Sequence, residues 1–364
     1  MTQTSIPFLF MRGGTSRGPY FLRSDLPAEQ EELAAVLIAA IGSGHSLNID
    51  GIGGGSAVTT KVAILSKSDD DGVDVDYFFA QVSVESRLVD FKPSCGNILV
   101  GVGPAAIEMG LVPATGETTE VRIRAVNTDA KVLAKVRCHK GQVVYEGNAA
   151  IDGVPGSHAP VELMFQDVVG GATGSMFPTG RRIDTIDGID VTCMDVAMPM
   201  VIARASEFGL TGTESASDLD ANRAFYERME PIRQKAGQKM GLGDVSQSVM
   251  PKFGLLAPPQ NGGTAATRYF MPWNTHPSLA VTGSQCLASC LLCPGTVGEG
   301  LVHPKPEAPA TLKLEHPMGV LEVRFDYSSD EDGGFSVHSA GLVRTARKLA
   351  EGSVFVPKSV WNGT

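Results

Sequence analysis

The sequence predicts an α+β protein of two similar domains. Each is a curled, mostly antiparallel, barrel-like β-sheet around one central buried helix, with the active site in the cleft between them. Three observations lead there. At 364 residues the chain exceeds what one hydrophobic core commonly organises. Glycine is abundant, at 42 residues, and short extended runs closed by Gly, Asp and Asn turns outnumber helical patterns. Two stretches, 94–110 and 276–294, are apolar on every side, and a helix without a polar face is a buried one.

Residues 6–11 read as a strand that ends in the turn Arg12-Gly13-Gly14-Thr15-Ser16-Arg17-Gly18. Its exposed backbone N–H groups, with the hydroxyls of Thr15 and Ser16, make a plausible anion nest, although such turns are common. Extended structure resumes at residues 20–23, and Asp25 is placed to cap a helix with Pro27 in its first turn, running through Glu29 to Ile41. A Gly-rich loop including Gly54 then leads to Lys61 at the mouth of a buried strand, 62–65. It is neither a Walker loop nor a dinucleotide fingerprint: no Gly directly precedes the lysine and a strand follows it. After strands within 74–89 comes Ser94-Cys95-Gly96-Asn97, which opens the first buried helix. Free cysteines ordinarily just pack, but at a helix N-terminus free N–H groups favour a thiolate or a bound carboxylate.

Strands are expected at 120–126, 130–138 and 142–146, then a loop over 147–160, with the first domain ending near 185. The second domain, 186–364, repeats the order, and its last strand is free to return to the first. Strands at 162–167, 189–195 (after an Asp187-Gly188 hairpin signal) and 198–203 precede an amphipathic helix capped by Ser217 or Asp218. Strands at 252–257 and 264–271 lead through His276 to the second buried helix, which opens at Thr282-Gly283-Ser284. A hairpin at 311–316 and 320–327 and strands at 335–345 and 353–356 complete the chain. Cys95-Gly96-Asn97 and Thr282-Gly283-Ser284 thus occupy matching places, as do 120–138 and 311–327. Two such helix N-termini facing one cleft would hold a molecule with two or three carboxylates.

Net charge is −10 with no long Lys/Arg cluster, which argues against nucleic acid. No run approaches the roughly 18 apolar residues of a membrane span, and the N-terminus lacks a signal-peptide pattern. A cytoplasmic, membrane-free protein with six reduced cysteines is expected, and a homodimer is one assembly open to it.

Three chemistries compete. Two-base stereoinversion wants a thiol on each side of a carbon, and Thr282 stands where Cys95 would be mirrored. Cys286, Cys290 and Cys293 have cluster-like spacing but lie on an apolar helix, so they read as packing residues and no metal is expected. One-sided acid–base isomerisation would use Lys61 as base on a carbon-bound proton, with the helix N-termini stabilising the resulting enolate. Cys95 then bounds the site or returns the proton.

The chain resembles the PrpF family, within the diaminopimelate-epimerase-like fold, over essentially its whole length. The likeness is carried by Met11-Arg12-Gly13-Gly14-Thr15-Ser16-Arg17-Gly18, Asp50-Gly51-Ile52-Gly53-Gly54, Thr59-Thr60-Lys61-Val62, Cys95-Gly96-Asn97-Ile98-Leu99 and Val102-Gly103-Pro104. Ile151-Asp152-Gly153-Val154-Pro155-Gly156, Leu242-Gly243-Asp244-Val245 and Gly341-Leu342-Val343-Arg344-Thr345-Ala346-Arg347 extend it. The resemblance implies a cofactor-independent isomerase of a small unsaturated di- or tricarboxylate. It is nearest to the 4-oxalomesaconate tautomerases (Δ-isomerases) of aromatic catabolism; the alternatives are 2-methylaconitate or aconitate isomerase and methylitaconate Δ-isomerase. It implies Lys61 as the proton-abstracting base and Cys95 as the second active-site group. Thr15, Ser16, Gly54, Gly96, Asn97, Met198, His276, Thr282, Gly283 and Ser284 are the expected substrate contacts. Departures from the tautomerase pattern at Arg17, Asp195-Val196-Ala197-Met198-Pro199, Trp273-Asn274-Thr275-His276 and Thr282-Gly283-Ser284 leave the substrate open. A non-catalytic tricarboxylate-binding protein is the reading from a different class.

Overall fold

A computed structural model describes residues 2–271, 273–330 and 333–363. The chain divides into two compact units, 1–164 with 343–364, and 165–342. The first boundary thus falls earlier than 185, and the C-terminal segment belongs with unit 1.

Unit 1 begins with β1 (Gln3–Gly13) and β2 (Ser16–Leu22), followed by α1 (Gln30–Ile41). Asp25 is not the cap of α1. It lies in a 3-10 turn, and Glu29 is the N-cap residue, without a side-chain cap bond. Leu33, Val36, Leu37, Ala40 and Ile41 recur at helical spacing and bury one face of α1 against Ile6, Phe21, Val62 and Ile64. Then come β3 (Lys61–Lys67), β4 (Val75–Val82) and β5 (Val89–Asp90). The central helix is two segments, α2 (Gly96–Val100) and α3 (Val102–Glu108), not one. Pro104 has no N–H to give the carbonyl one turn back, and the ladder is interrupted at Gly101, whose N–H turns to Ile98 O at 2.9 Å. β6 (Thr118–Ala125), β7 (Ala130–His139), β8 (Gln142–Val143) and β9 (Pro160–Phe165) follow.

The returning residues 346–357 pair antiparallel with β1. From β1 the sheet runs β1–β2 antiparallel, β2–β3 parallel, β3–β4 antiparallel, β4–β6 parallel and β6–β7 antiparallel. Further pairings of β9 with β7 and with the returning strand curl the sheet back on itself. Inside lie α2 and α3, touching β1, β2, β3, β6 and β7. The helix is apolar all round because strands surround it.

Unit 2 comprises β10 (Asp184–Ile186), β11 (Ile189–Asp195), β12 (Pro199–Arg204), α4 (Ala216–Ala221), α5 (Arg223–Lys239), β13 (Lys252–Ala257), β14 (Ala265–Phe270), α6 (Val281–Leu292), β15 (Ala310–His316), β16 (Gly319–Ser329) and the start of β17 (Phe335–Pro357). Asp187 and Gly188, with φ of 50° and 78°, make the two-residue hairpin turn between β10 and β11. The amphipathic helix is also two pieces. Ser215 caps α4 and Asn222 caps α5, each side chain accepting a backbone N–H, so neither Ser217 nor Asp218 is the cap. The expected C-terminal strands are one long strand, β17, whose first part pairs with β16.

The internal duplication is explicit in the pairing. The series β11–β12–β13–β14–β15–β16 runs antiparallel, parallel, antiparallel, parallel, antiparallel, the same sequence as β1–β2–β3–β4–β6–β7. In both units a helix links the second and third strands of the series, and another links the fourth and fifth. In unit 2 the first crossover packs Phe225, Met229 and Ile232 on Val201, Phe253 and Phe270. The second, α6, buries Cys286, Leu287, Cys290 and Leu291 on the other face with Met200, Ile202 and Leu256.

Candidate functional site

In unit 1, Lys61 is the first residue of β3, and the strand fixes its backbone beside β2. A Cβ on Gly18 would overlap the Lys61 carbonyl oxygen, so only glycine lets β2 pass there. The Lys61 Nζ lies 3.2 Å from Cys95 Sγ and 5.6 Å from the centre of the Phe79 ring. Cys95 is the N-cap residue of α2, in extended backbone conformation and 7% exposed. Its carbonyl accepts the Leu99 N–H at 2.9 Å and the Tyr77 hydroxyl at 3.4 Å. The Tyr20 hydroxyl donates to Ile98 O. Burial, and secondarily the charge Cys95 can carry, push the phenols of Tyr20 and Tyr77 far above their ordinary pKa, so both serve as neutral donors that pin the start of the helix.

The Gly-rich turn and α2 are tied together. Asn97 Nδ2 donates to Thr15 Oγ1 at 3.1 Å, and Thr15 N–H reaches Asn97 Oδ1 at 3.4 Å. A Cβ on Gly13 would meet Asn97 O, which sets the closeness of turn to helix. The Ser16 hydroxyl is buried with no partner among the described residues. Gly54 is exposed on its loop, and a Cβ there would crowd Thr59 Oγ1 and Arg17 Nη2, 2.7 and 2.8 Å away. Lys61, Cys95, Gly96, Asn97, Thr15 and Ser16 therefore belong to one constellation, while Gly54 lies beside Arg17.

The expected residues of unit 2 also gather, at the start of α6. The Thr282 hydroxyl and the Tyr269 hydroxyl both approach Met198 Sδ, at 3.4 and 3.3 Å. The His276 ring stands edge-on to Tyr269 with centroids 5.7 Å apart, and its Nδ1 accepts the Ser278 N–H at 3.0 Å. A Cβ on Gly283 would enter the Tyr269 ring. Ser284 is differently disposed. It is fully buried, its N–H bonds Ala280 O at 2.8 Å and its hydroxyl bonds Val281 O at 2.7 Å, so both are already used within the helix. Among the described residues, the N–H groups of Val281, Thr282 and Gly283 at the start of α6 have no acceptor.

The other five cysteines are buried and unpaired. Burial pushes the thiols of Cys193 and Cys290 up to about 12 and that of Cys293 up to about 11, and raises Cys286 well above the usual range. They pack as apolar groups, and among the described residues no cluster of His, Cys, Asp or Glu has metal-binding geometry. Among the described residues no helix is long and apolar enough to cross a membrane.

The family model described as PrpF protein matches residues 3–357. The chain is 46% identical over 363 residues to the 4-oxalomesaconate tautomerase of Pseudomonas putida, covering 100% of this chain and 99% of the other. It is 45% identical over 356 residues to the (4E)-oxalomesaconate Delta-isomerase of Novosphingobium sp. (strain KA1), covering 97% and 98%. Among solved structures, a methylitaconate-delta-isomerase superposes with a TM-score of 0.91 at 33% identity, covering 99% of this chain and 97% of that one.

Proposed function

The chain belongs to the PrpF family, and from that premise we propose that it is a cofactor-independent isomerase shifting a C=C bond by allylic proton transfer in an unsaturated tricarboxylate, with 4-oxalomesaconate as substrate. The observation that carries the reading is the 3.2 Å contact between Lys61 Nζ and Cys95 Sγ in a part-buried setting. One group takes a proton, the other gives one, and a proton can cross between them to reset the site.

In the proposed cycle the Lys61 amine removes an allylic proton next to a carbonyl or carboxylate. The negative charge spreads over the conjugated system. N–H groups of Gly96 and Asn97 face that charge, with the Thr15 hydroxyl tied to Asn97 beside them. The Cys95 thiol then delivers a proton to the far end of the allylic unit, leaving ammonium and thiolate. Transfer from Nζ to Sγ restores both, and no electrons are exchanged with any other reactant. In unit 2 the N–H groups of Thr282 and Gly283 and the His276 ring are proposed to hold a carboxylate, with the Met198 thioether lining the spot, and the Val281 N–H takes the place first expected for Ser284.

The substrate assignment rests on the two relatives near 45% identity, both named for oxalomesaconate. A panel of oxalomesaconate, cis- and trans-aconitate, 2-methylaconitate and methylitaconate, followed by ultraviolet absorbance and NMR, tests it. Oxalomesaconate should turn over fastest. Preference for any other member would reassign the substrate, and thermal stabilisation without turnover of any member would favour a binding protein.

Cys95→Ser offers a second test. A serine hydroxyl is a far weaker acid than a thiol, so the steady-state rate should fall roughly 10²-fold or more. A full rate in this variant would remove Cys95 from the proton path.

A further inference from the structure

The duplication places a second lysine where the first one stands. Lys61 opens β3, the strand that pairs in parallel with β2. Lys252 opens β13, the strand that pairs in parallel with β12, opposite Met200. Phe253 faces Phe225 and Phe270 on the α5 side. A Cβ on Gly254 would touch Leu287 of α6 and Met200, so the even-numbered residues of β13 face α6. Lys252 shares that face, and it is only 6% exposed.

A cation this buried normally has an acid beside it. Lys252 has none: its Nζ makes no hydrogen bond or ion pair among the described residues. Burial, and next the Arg233 guanidinium, lower its pKa from the ordinary lysine value. Arg233 is itself held by a two-pronged pair with Glu230, so that carboxylate is spent elsewhere. Gly254 pairs with Tyr269 on β14, so Lys252 lies diagonal to that ring on the face toward α6, and the His276 ring stands edge-on to it. Burial first, and also the Lys252 ammonium, hold His276 below the usual imidazole value. That neighbourhood contains Tyr269, against which Gly283 packs, and hence the free N–H groups at the start of the 12-residue α6. No thiol stands there as Cys95 does in unit 1.

We propose that Lys252, with His276 and the N–H groups of Val281, Thr282 and Gly283, forms a carboxylate-binding subsite in unit 2, in which the ligand supplies the anion that the ammonium lacks. Lys252 is here an anchor for substrate charge and not a second proton-transfer base. The inference takes its ligand class from the isomerase reading and its location from unit 2 alone.

The probe is tricarballylate, a saturated tricarboxylate that has no double bond to shift, titrated calorimetrically into the full chain. Lys252→Met should weaken its binding roughly ten- to a hundredfold, the loss expected for one charge-assisted hydrogen bond. Lys252→Arg should recover most of that affinity. In turnover, Lys252→Met should raise KM by a similar factor while changing kcat little. The unliganded variant should melt at or above the wild-type temperature, because an ammonium without an acid partner has been removed from a largely buried position. Unchanged tricarballylate affinity in Lys252→Met overturns the subsite, as does the absence of binding to the wild type. A kcat collapse at unchanged affinity overturns the anchoring role, and a markedly lower melting temperature overturns the claim that the charge is unpartnered. Failure of the isomerase reading is seen separately: no unsaturated tricarboxylate would react, while tricarballylate binding would still depend on Lys252.

Discussion

Lys61→Met should leave a folded protein that turns over oxalomesaconate roughly 10²–10⁴-fold more slowly, the usual contribution of a positioned base. The methionine keeps the length and apolar stem of lysine, and the neighbours it would meet are Phe79 and the Cys95 sulfur. Stability should therefore change little. Affinity for tricarballylate should also hold, because the amine is proposed to act on a C–H bond and not on a carboxylate. The signature is a loss in kcat with preserved binding. A wild-type rate in a folded Lys61→Met protein would end the proposed mechanism, whatever the identity of the substrate.

Gly18→Ala should be the most damaging single methyl in unit 1. Its Cβ would overlap the Lys61 carbonyl oxygen, a backbone atom fixed in the β3–β4 ladder. A flexible side chain could swing aside, but here a strand has to move. A cost of about 2–4 kcal/mol is expected, and Lys61 should be displaced from Cys95 along with its strand, so the rate should drop as well. Gly352→Ala is the control. It lies in the returning strand with open space about the new carbon, and should melt like the wild type. Urea melts of both variants measure the difference. Equal stability of Gly18→Ala and the wild type would contradict the close approach of β2 to β3.

Much of this was legible in the sequence because it was written in patterns with one physical solution. A helix without a polar face, as at 96–108 and 281–292, has to be surrounded, and both are. Asp187-Gly188 is a turn pair that tolerates positive φ at both positions. Lys61 and Cys95 stood beside Gly-rich or turn-forming residues, and strand and helix bring them to 3.2 Å. What escaped was set by contacts distant in sequence or by competing local choices. Asp25, Ser217 and Asp218 were reasonable caps, but Glu29, Ser215 and Asn222 hold those places, because chain entry angles decide among adjacent candidates. The break at Gly101 follows from Pro104, a visible signal overridden by the strength of the apolar pattern. Ser284 looked like a partner of Asn97, yet the helix begins three residues earlier and uses both of its donors internally. Lys252 was missed altogether. Its signal was available once the halves were superimposed, since Pro251-Lys252-Phe253 enters a buried strand as Thr60-Lys61-Val62 does.

The central claim is that Lys61 moves an allylic proton, and deuterium tests it most directly. Oxalomesaconate incubated with the wild-type protein in D2O and followed by proton NMR should take up deuterium at one allylic carbon, at a rate matching isomerisation. With Lys61→Met that uptake should be absent. Isomerisation without any deuterium entering, or uptake that persists undiminished in Lys61→Met, would contradict the account.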